Sequence, residues 1–377
     1  MKESYVGLGV VGCGSIGVRA SLEHFKWHEY DDLCRITAVC DPVPGRAKAI
    51  AEKYGVQKYY ESYEELLKDD AVDAVTLCTP IGMHYQQGLM AIEAGKHIHF
   101  NKTMTISKIE ADDIIEKAKV KDIKIVASPG GMMTLPFYQR MRRAVLEGRL
   151  GKLSWAYADN DVGGGSYHLQ FDRGNTGVVG NVNPEWYFQK PAGGPQYDVA
   201  VYSINSAVGI LGPVKKVTAL AGQQYKSHPY NGKEIKNEVD DSITLLLDYG
   251  NGFHCVCNSV IANTVCKGRA FVPNIYGTDG QIVNGVLNGT SLIYDGDHQP
   301  HIFGRHLEIK ENHVVEDTLE LAEWVKNGIP SVGSPEFARH VIEIIEAGNK
   351  AAATGKTQII TTTCDNIPLD QLAKIRD

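Results

Sequence analysis

The sequence predicts an N-terminal doubly wound parallel α/β domain, followed by an α+β domain built on a mostly antiparallel open sheet. Three observations carry that prediction. Apolar runs alternate with amphipathic helical stretches as far as residue 127. The first of those runs ends in a glycine-rich turn, and beyond residue 128 the pattern changes to shorter runs separated by hairpin signals. With 377 residues, 43% of them hydrophobic, the chain can bury two cores, and the expected division is 1–127 and 128–377.

Tyr5 to Val11 is an apolar run of the kind that forms a buried parallel strand, and it leads into Gly12-Cys13-Gly14-Ser15-Ile16-Gly17. In this G-x-G-x-x-G spacing Gly12 permits a tight turn, Gly14 lets the backbone approach a pyrophosphate, and Gly17 lets helix and strand pack closely. A helix through Arg19 to Phe25 then offers its N-terminal N–H groups to phosphate oxygens. A second apolar run, Arg35 to Cys40, ends in Asp41, 24 residues after Gly17. An acid at that distance suits the adenosine ribose hydroxyls of a dinucleotide. A glycine-rich turn alone is common; strand, turn, helix, strand and acid in this order indicate a Rossmann domain. Asp41 favours NAD, since a carboxylate repels the 2′-phosphate of NADP, although Arg46 stands close enough to receive such a phosphate.

The alternation continues with a helix over Arg46 to Tyr54 and a capping box at Ser62-x-x-Glu65 that opens a short helix through Leu67. Val72 to Cys78 is the next strand and runs into Thr79-Pro80. A helix from His84 to Ala94 stops at Gly95, and His97 to Phe100 is a strand followed by Asn101-Lys102-Thr103. Ser107-x-x-Glu110 caps a further amphipathic helix, and Ile123 to Ala127 closes the domain. Ligands of parallel sheets bind beyond the carboxyl ends of the strands. Thr79, Pro80, His84, Asn101 and Lys102 are therefore expected beside the cofactor, on the same edge as the glycine turn.

In the second domain the spacing predicts a helix over Phe137 to Glu147 and a strand over Leu153 to Asn160. A long loop region is expected over Asp161 to Gly194, and a helix over Gly194 to Leu211. A hairpin joins Ile243–Tyr249 to Phe253–Val260 through Gly250-Asn251-Gly252. Further strands are predicted at Phe271–Tyr276, Gln281–Val286 and Ser291–Tyr294, then a helix over Thr318–Lys326 and a last one opened by Ser334-Pro335. On the Gly194–Leu211 helix, Asp198, Tyr202 and Asn205 form a polar stripe apart from the apolar Val201, Ile204, Val208 and Leu211. Such a stripe is either a solvated face or a set of hydrogen-bonding groups for a polyhydroxylated molecule. The aromatic loop before it, with Trp186, Tyr187 and Lys190, points to a pocket.

Composition narrows the partners. A net charge of −7 argues against nucleic acid or an acidic membrane surface, and no apolar run is long enough for a membrane span. The first strand begins so near Met1 that no signal peptide is expected. Eight scattered cysteines, several inside core strands, suggest a reducing cytoplasm. Cys255 and Cys257 read as core packing, and no metal site is expected.

These motifs resemble the glucose–fructose oxidoreductase, inositol dehydrogenase and rhizopine-catabolism (Gfo/Idh/MocA) family over nearly the whole chain. The matching elements are the glycine fingerprint, Thr79-Pro80-x-x-x-His84, Ala94-Gly95-Lys96-His97, the Asn101-Lys102-Thr103 site, and Gly193-Gly194 followed by Asp198 and Tyr202. The resemblance implies an NAD(P)-dependent oxidoreductase moving a hydride between NAD and a secondary alcohol of a sugar, glycoside or cyclic polyol. It implies that Lys102, Asp198 and Tyr202 line the reacting carbon, with Lys102 or Tyr202 carrying the hydroxyl proton and Asp198 orienting the sugar or tuning Lys102. A positively charged nicotinamide should favour loss of the Lys102 proton. Two departures stand out. Asn101 and Thr103 replace the family's glutamate and proline, and a trans Lys102–Thr103 bond or a strained loop is expected, because a cis bond costs roughly 2.5–4 kcal/mol without proline. Met132 and Met133 stand where many members carry an arginine. Alternatives within the family are an NAD-retaining glycosidase-like enzyme and a non-catalytic NAD-sensing regulator. A homodimer or homotetramer pairing through the C-terminal sheet is expected.

Overall fold

The computed structural model describes residues 5–161, 177–180, 183–230, 232–260 and 271–376. Strands β1 (Val6–Val11), β2 (Cys34–Cys40), β3 (Lys58–Tyr60), β4 (Ala74–Leu77), β5 (His97–Phe100) and β6 (Ile125–Ala127) form a six-stranded sheet. Its order is β3-β2-β1-β4-β5-β6, and every pairing is parallel. The order reverses direction at β1, and the crevice there is where open α/β sheets bind ligands. β1 is buried along its whole length, as its uninterrupted apolar run requires. Both serine caps form. Ser62 Oγ accepts from the Glu65 amide at 3.3 Å, Ser107 Oγ accepts from the Glu110 amide at 3.3 Å, and Glu110 reaches back to the Ile106 amide.

A second sheet contains β7 (Leu153–Asp161), β8 (Lys216–Gly222), β11 (Ser242–Asp248) and β12 (His254–Val260). Strands β13 (Asn274–Gly277), β14 (Gln281–Val283), β15 (Val286–Leu287), β16 (Thr290–Ser291) and β17 (Gln358–Ile359) complete its nine members, and a separate ribbon pairs β9 (Ser227–Tyr230) with β10 (Lys233–Lys236). The order is β16-β15-β14-β13-β7-β12-β11-β8-β17, antiparallel except for β7 beside β12. The predicted hairpin is β11–β12, with Gly250 and Gly252 both at positive φ. The expected continuous strand Gln281–Val286 is instead a hairpin, because Asn284 and Gly285 both take positive φ between β14 and β15. That is the Asn-Gly signature of a tight I′-type turn, which the apolar run concealed.

Three helices, Pro136–Leu146, Val201–Leu211 and Pro335–Thr354, cover one face of the second sheet. Ser334 Oγ accepts from the Phe337 amide and Pro335 occupies the first turn, as read from the sequence. Ile344 and Ile345 of this last helix belong to the second core, while Ile342 packs into the first, so one helix closes both. The helix expected over Thr318–Lys326 extends over Asn312–Asn327. It packs Val315, Leu319 and Ala322 against Val6, Leu8 and Val126 of the first sheet. Its Asp317 accepts from Ser128 Oγ at 2.6 Å and the Gly131 amide at 2.5 Å, which pins the segment crossing from one sheet to the other. The expected loop region, Asp161 to Gly194, falls partly outside the described residues; within them it holds the short helices Gly177–Gly180 and Glu185–Phe188.

Candidate active site

A cleft of about 850 Å³ runs between the carboxyl edge of the first sheet and the start of the Val201–Leu211 helix. One end is lined by Gly12, Gly14, Ser15, Ile16, Asp41 and Arg46, the other by Lys102, Met132, Trp186, Asp198, Tyr202, Phe271 and His313. Thr79, Pro80 and Asn101 lie along it between these ends.

The glycines behave as their spacing requires. Gly12 has φ +92°, and a Cβ there would stand 2.9 Å from the Cys78 carbonyl. A Cβ on Gly17 would stand 2.0 Å from the Gly12 carbonyl oxygen, so helix and strand meet at a distance only glycine allows. Cys13 and Gly17 are buried and support this turn from behind rather than lining the cleft. Asp41 is buried, and its Oδ2 accepts from the Cys13 amide at 2.9 Å while Oδ1 accepts from the Val43 amide at 2.9 Å. Arg46 donates to the same carboxylate at 3.3 Å, and its Nε donates to the Val178 carbonyl at 2.9 Å. Asp41 thus organises the turn while facing the cleft, and Arg46 is engaged with it. This cradle fits a dinucleotide: tight turn, close-packed helix and an acid at the end of β2 coincide on one wall.

The far end of the cleft, the candidate reaction end, is assembled across the two sheets. Lys102 follows β5, and its Nζ donates to both the carboxylate and the carbonyl of Asp198, the latter at 2.7 Å. The same nitrogen lies 5.3 Å from the centroid of the Tyr202 ring. Asp198 sits in a wide helical turn, Gln196–Ala200, that precedes the regular helix. Wide turns of this kind recur at functional sites because they re-aim a side chain without ending the helix. Tyr202 stacks obliquely on Phe271, with centroids 4.8 Å apart, and its hydroxyl is 3.2 Å from Nε2 of His313.

Several expectations are corrected here. The Lys102–Thr103 bond is cis, not trans. Surrounding groups hold the loop: the Lys102 amide donates to Asn101 Oδ1 at 2.7 Å, Thr103 Oγ1 donates to the Thr105 carbonyl, and His84 Nδ1 is 2.7 Å from the Thr103 carbonyl. His84 is buried beneath the cleft instead of lining it. Its Nε2 approaches the Thr79 carbonyl at 3.0 Å, so it bridges the two loops that do line the cleft. Burial holds its pKa below the ordinary histidine value, and a neutral ring has one N–H for these two carbonyls.

Asn205 turns under the cleft and donates to the Pro129 carbonyl at 3.2 Å. Tyr202 and Asn205 both lie on the regular Val201–Leu211 helix, where a step of three residues falls short of a full turn, and that offset carries Asn205 round to Pro129. Tyr187 is buried in a small cluster with Phe188, Val199 and Ile235, and Lys190 is exposed away from the cleft. The three-residue period of the Glu185–Phe188 turn sends neighbours in different directions, so only Trp186 reaches the cleft. Met132 lines the cleft, whereas Met133 packs against Gly209.

Sequence reasoning missed Phe271, which it read only as a strand start, and His313. The helix carrying it was placed to begin at Thr318, and its true start lacks the usual cap: Glu311 precedes it with φ 66°. The apolar recurrence Val314, Val315, Leu319 and Ala322 was the available signal. Glu311 pairs with Arg19 at 2.8 Å, tying this helix start to the helix behind the glycine turn.

The fold and cleft define a dinucleotide-dependent oxidoreductase. The family model for the oxidoreductase family with an NAD-binding Rossmann fold (GFO/IDH/MocA) matches residues 6–127, and the model for the GFO/IDH/MocA C-terminal domain matches residues 138–283. The chain belongs to this family. It is 24% identical over 326 residues to trans-1,2-dihydrobenzene-1,2-diol dehydrogenase of Mus musculus, covering 79% of this chain and 89% of that protein. It is 27% identical over 255 residues to scyllo-inositol 2-dehydrogenase (NAD(+)) of Bacillus subtilis, covering 67% of each. Levoglucosan dehydrogenase in complex with NADH and levoglucosan superposes with a TM-score of 0.73 at 17% identity, over 94% of this chain and 99% of that one, a likeness of fold. The cofactor of this oxidoreductase is NAD.

Proposed function

We propose that this enzyme transfers a hydride between NAD and a secondary alcohol of a sugar, glycoside or cyclic polyol. The observation that carries the reading is the Lys102–Asp198 contact at the far end of the glycine-lined cleft, with the Tyr202 ring beside it. NAD, when bound, supplies the hydride acceptor. The glycine turn and Asp41 would hold its phosphates and adenosine ribose, and the Thr79-Pro80 and Asn101-Lys102 edges would flank its nicotinamide half.

In this reading Lys102 and Tyr202 face the substrate hydroxyl, and Asp198 orients Lys102 or a neighbouring hydroxyl. The apolar faces of Trp186, Phe271 and Met132 suit the C–H face of a ring. Residues 1–127 supply the cofactor end and 128–377 the substrate end. The open face of the second sheet carries the Trp155–Tyr276 stack, with centroids 5.0 Å apart, and exposed Leu220 and Leu246. It is the surface through which we expect two copies to pair, and light scattering should report a dimer or tetramer. The cytoplasm is the expected compartment, in keeping with seven free cysteines among the described residues.

The test is NADH formation from a panel of D-glucose, methyl glucosides, levoglucosan and inositols. Turnover of at least one of them is expected, and a chain that binds NAD yet oxidises none overturns the reading.

A further inference from the structure

The proton released by alcohol oxidation needs a destination, and Lys102 is already engaged by another group. Both hydrogen bonds of its Nζ are donations to Asp198, one to the carboxylate and one to the carbonyl, which hold it beside the Tyr202 ring. The Tyr202 hydroxyl is differently placed. It meets Nε2 of His313 at 3.2 Å, and this is the only hydrogen bond the His313 side chain makes among the described residues. The two rings stand edge to face, with centroids 5.3 Å apart. Phe271 packs on the tyrosine, so the phenol is fixed between an apolar face and an imidazole.

We propose that His313 completes a proton path, in which the Tyr202 oxygen takes the substrate's hydroxyl proton while its own phenolic proton passes to His313 Nε2. The proposal rests on the dehydrogenase reading above. The bonds balance: the substrate O–H breaks and an O–H forms on Tyr202. The phenolic O–H breaks and an N–H forms on His313. The carbinol carbon becomes a carbonyl as its hydride leaves for the NAD already assigned to the cleft, and one proton remains on the imidazole. His313 acts through Tyr202 and is in that sense a positioning residue.

The path needs a neutral imidazole at the start. Burial holds the His313 pKa below the ordinary value; Glu311 opposes this and Lys102 adds to it. The charged and titratable groups around the ring are therefore Lys102 with its partner Asp198, Glu311 with its partner Arg19, Tyr202, and His99. Their arrangement keeps His313 able to accept a proton at neutral pH.

Two readouts test this on the full chain. The first is a titration of ¹³C-labelled histidines by NMR, with the His313 signal identified by its absence in His313→Gln. A tyrosine hydroxyl donating to Nε2 favours the neutral ring, so Tyr202→Phe should raise the His313 midpoint by about half a unit or more. An unmoved midpoint overturns the proposal, and this arm needs no turnover. The second is the pH profile of kcat on any panel member oxidised. His313→Gln, which keeps a polar group but cannot titrate, should lose the acid limb and fall about 100-fold in kcat. A variant that retains the wild-type profile overturns the proposal and leaves the dehydrogenase reading standing. A wild type that oxidises nothing overturns both.

Discussion

The two ends of the cleft are built in opposite ways. The cradle end comes mainly from one short stretch, β1 through Asp41, and its constraints are local: a positive φ at Gly12, a forbidden Cβ at Gly17, a carboxylate on the Cys13 amide. The reaction end gathers Lys102, Asp198, Tyr202 and His313 from three distant parts of the chain, joined only by side-chain contacts. A contiguous site is held by its own backbone and is written as spacing. A gathered site exists only when both cores are packed, so each member depends on the others.

The largest effect is expected at the gathered end. Lys102→Ala should lower kcat by about 10²- to 10⁴-fold and also reduce the melting temperature, since it strands the buried Asp198 carboxylate. The double variant Lys102→Ala/Asp198→Asn should recover the melting temperature but not the rate. Recovery of both would show that the pair is structural and would break the contrast between the two ends.

At the cradle end, Gly17→Ala forces a Cβ into the space 2.0 Å from the Gly12 carbonyl. Calorimetry should show NAD binding weakened by more than about tenfold, with a stability loss of about 1–3 kcal/mol. An unaltered NAD isotherm would mean that the turn does not hold the cofactor.

Acid should affect both ends through the packing beneath them. Burial depresses His24 to about 4, His99 to about 3 and His340 to about 4, from an ordinary 6.5. These rings are neutral in the fold, so the unfolded chain binds more protons below pH 6.5. Stability contributed by their burial is present above that pH and is lost as the pH falls towards 3–4. The melting temperature should decline steadily through that window. His99 lies within reach of Thr76, Ser128 and Thr318, so His99→Gln should flatten part of the decline.

The smallest effect is expected at Lys190, which the aromatic loop suggested as a substrate ligand and the structure leaves exposed. Lys190→Ala should change KM by less than about twofold, within the range of surface substitutions. A larger change would bring that loop back to the reaction end.

Legibility in the sequence follows the same division. Five of the six parallel strands, both serine caps, the Gly250–Gly252 hairpin and the Ser334-Pro335 helix start were readable from short windows, whereas the short edge strand Lys58–Tyr60 was not. The Asn284-Gly285 turn was also present in the residues, hidden by apolar neighbours that continue a strand-like run. Asn205, Tyr187 and His84 were assigned to the cleft from regular periodicity or a motif position. The offset of three residues on a regular helix, a three-residue turn and a buried bridge between two loops direct them elsewhere.

By itself the sequence determined the parallel domain, its dinucleotide cradle, and the residue types present at the reaction end. Those depend on φ preferences, side-chain size and hydrophobic period, all properties of neighbouring residues. The tertiary structure alone decided that Lys102 meets Asp198, that Asn205 and Tyr187 turn away, and that His313 stands behind Tyr202. Contacts between residues far apart in the chain follow from how two cores dock, and a single sequence has no local feature that records the docking.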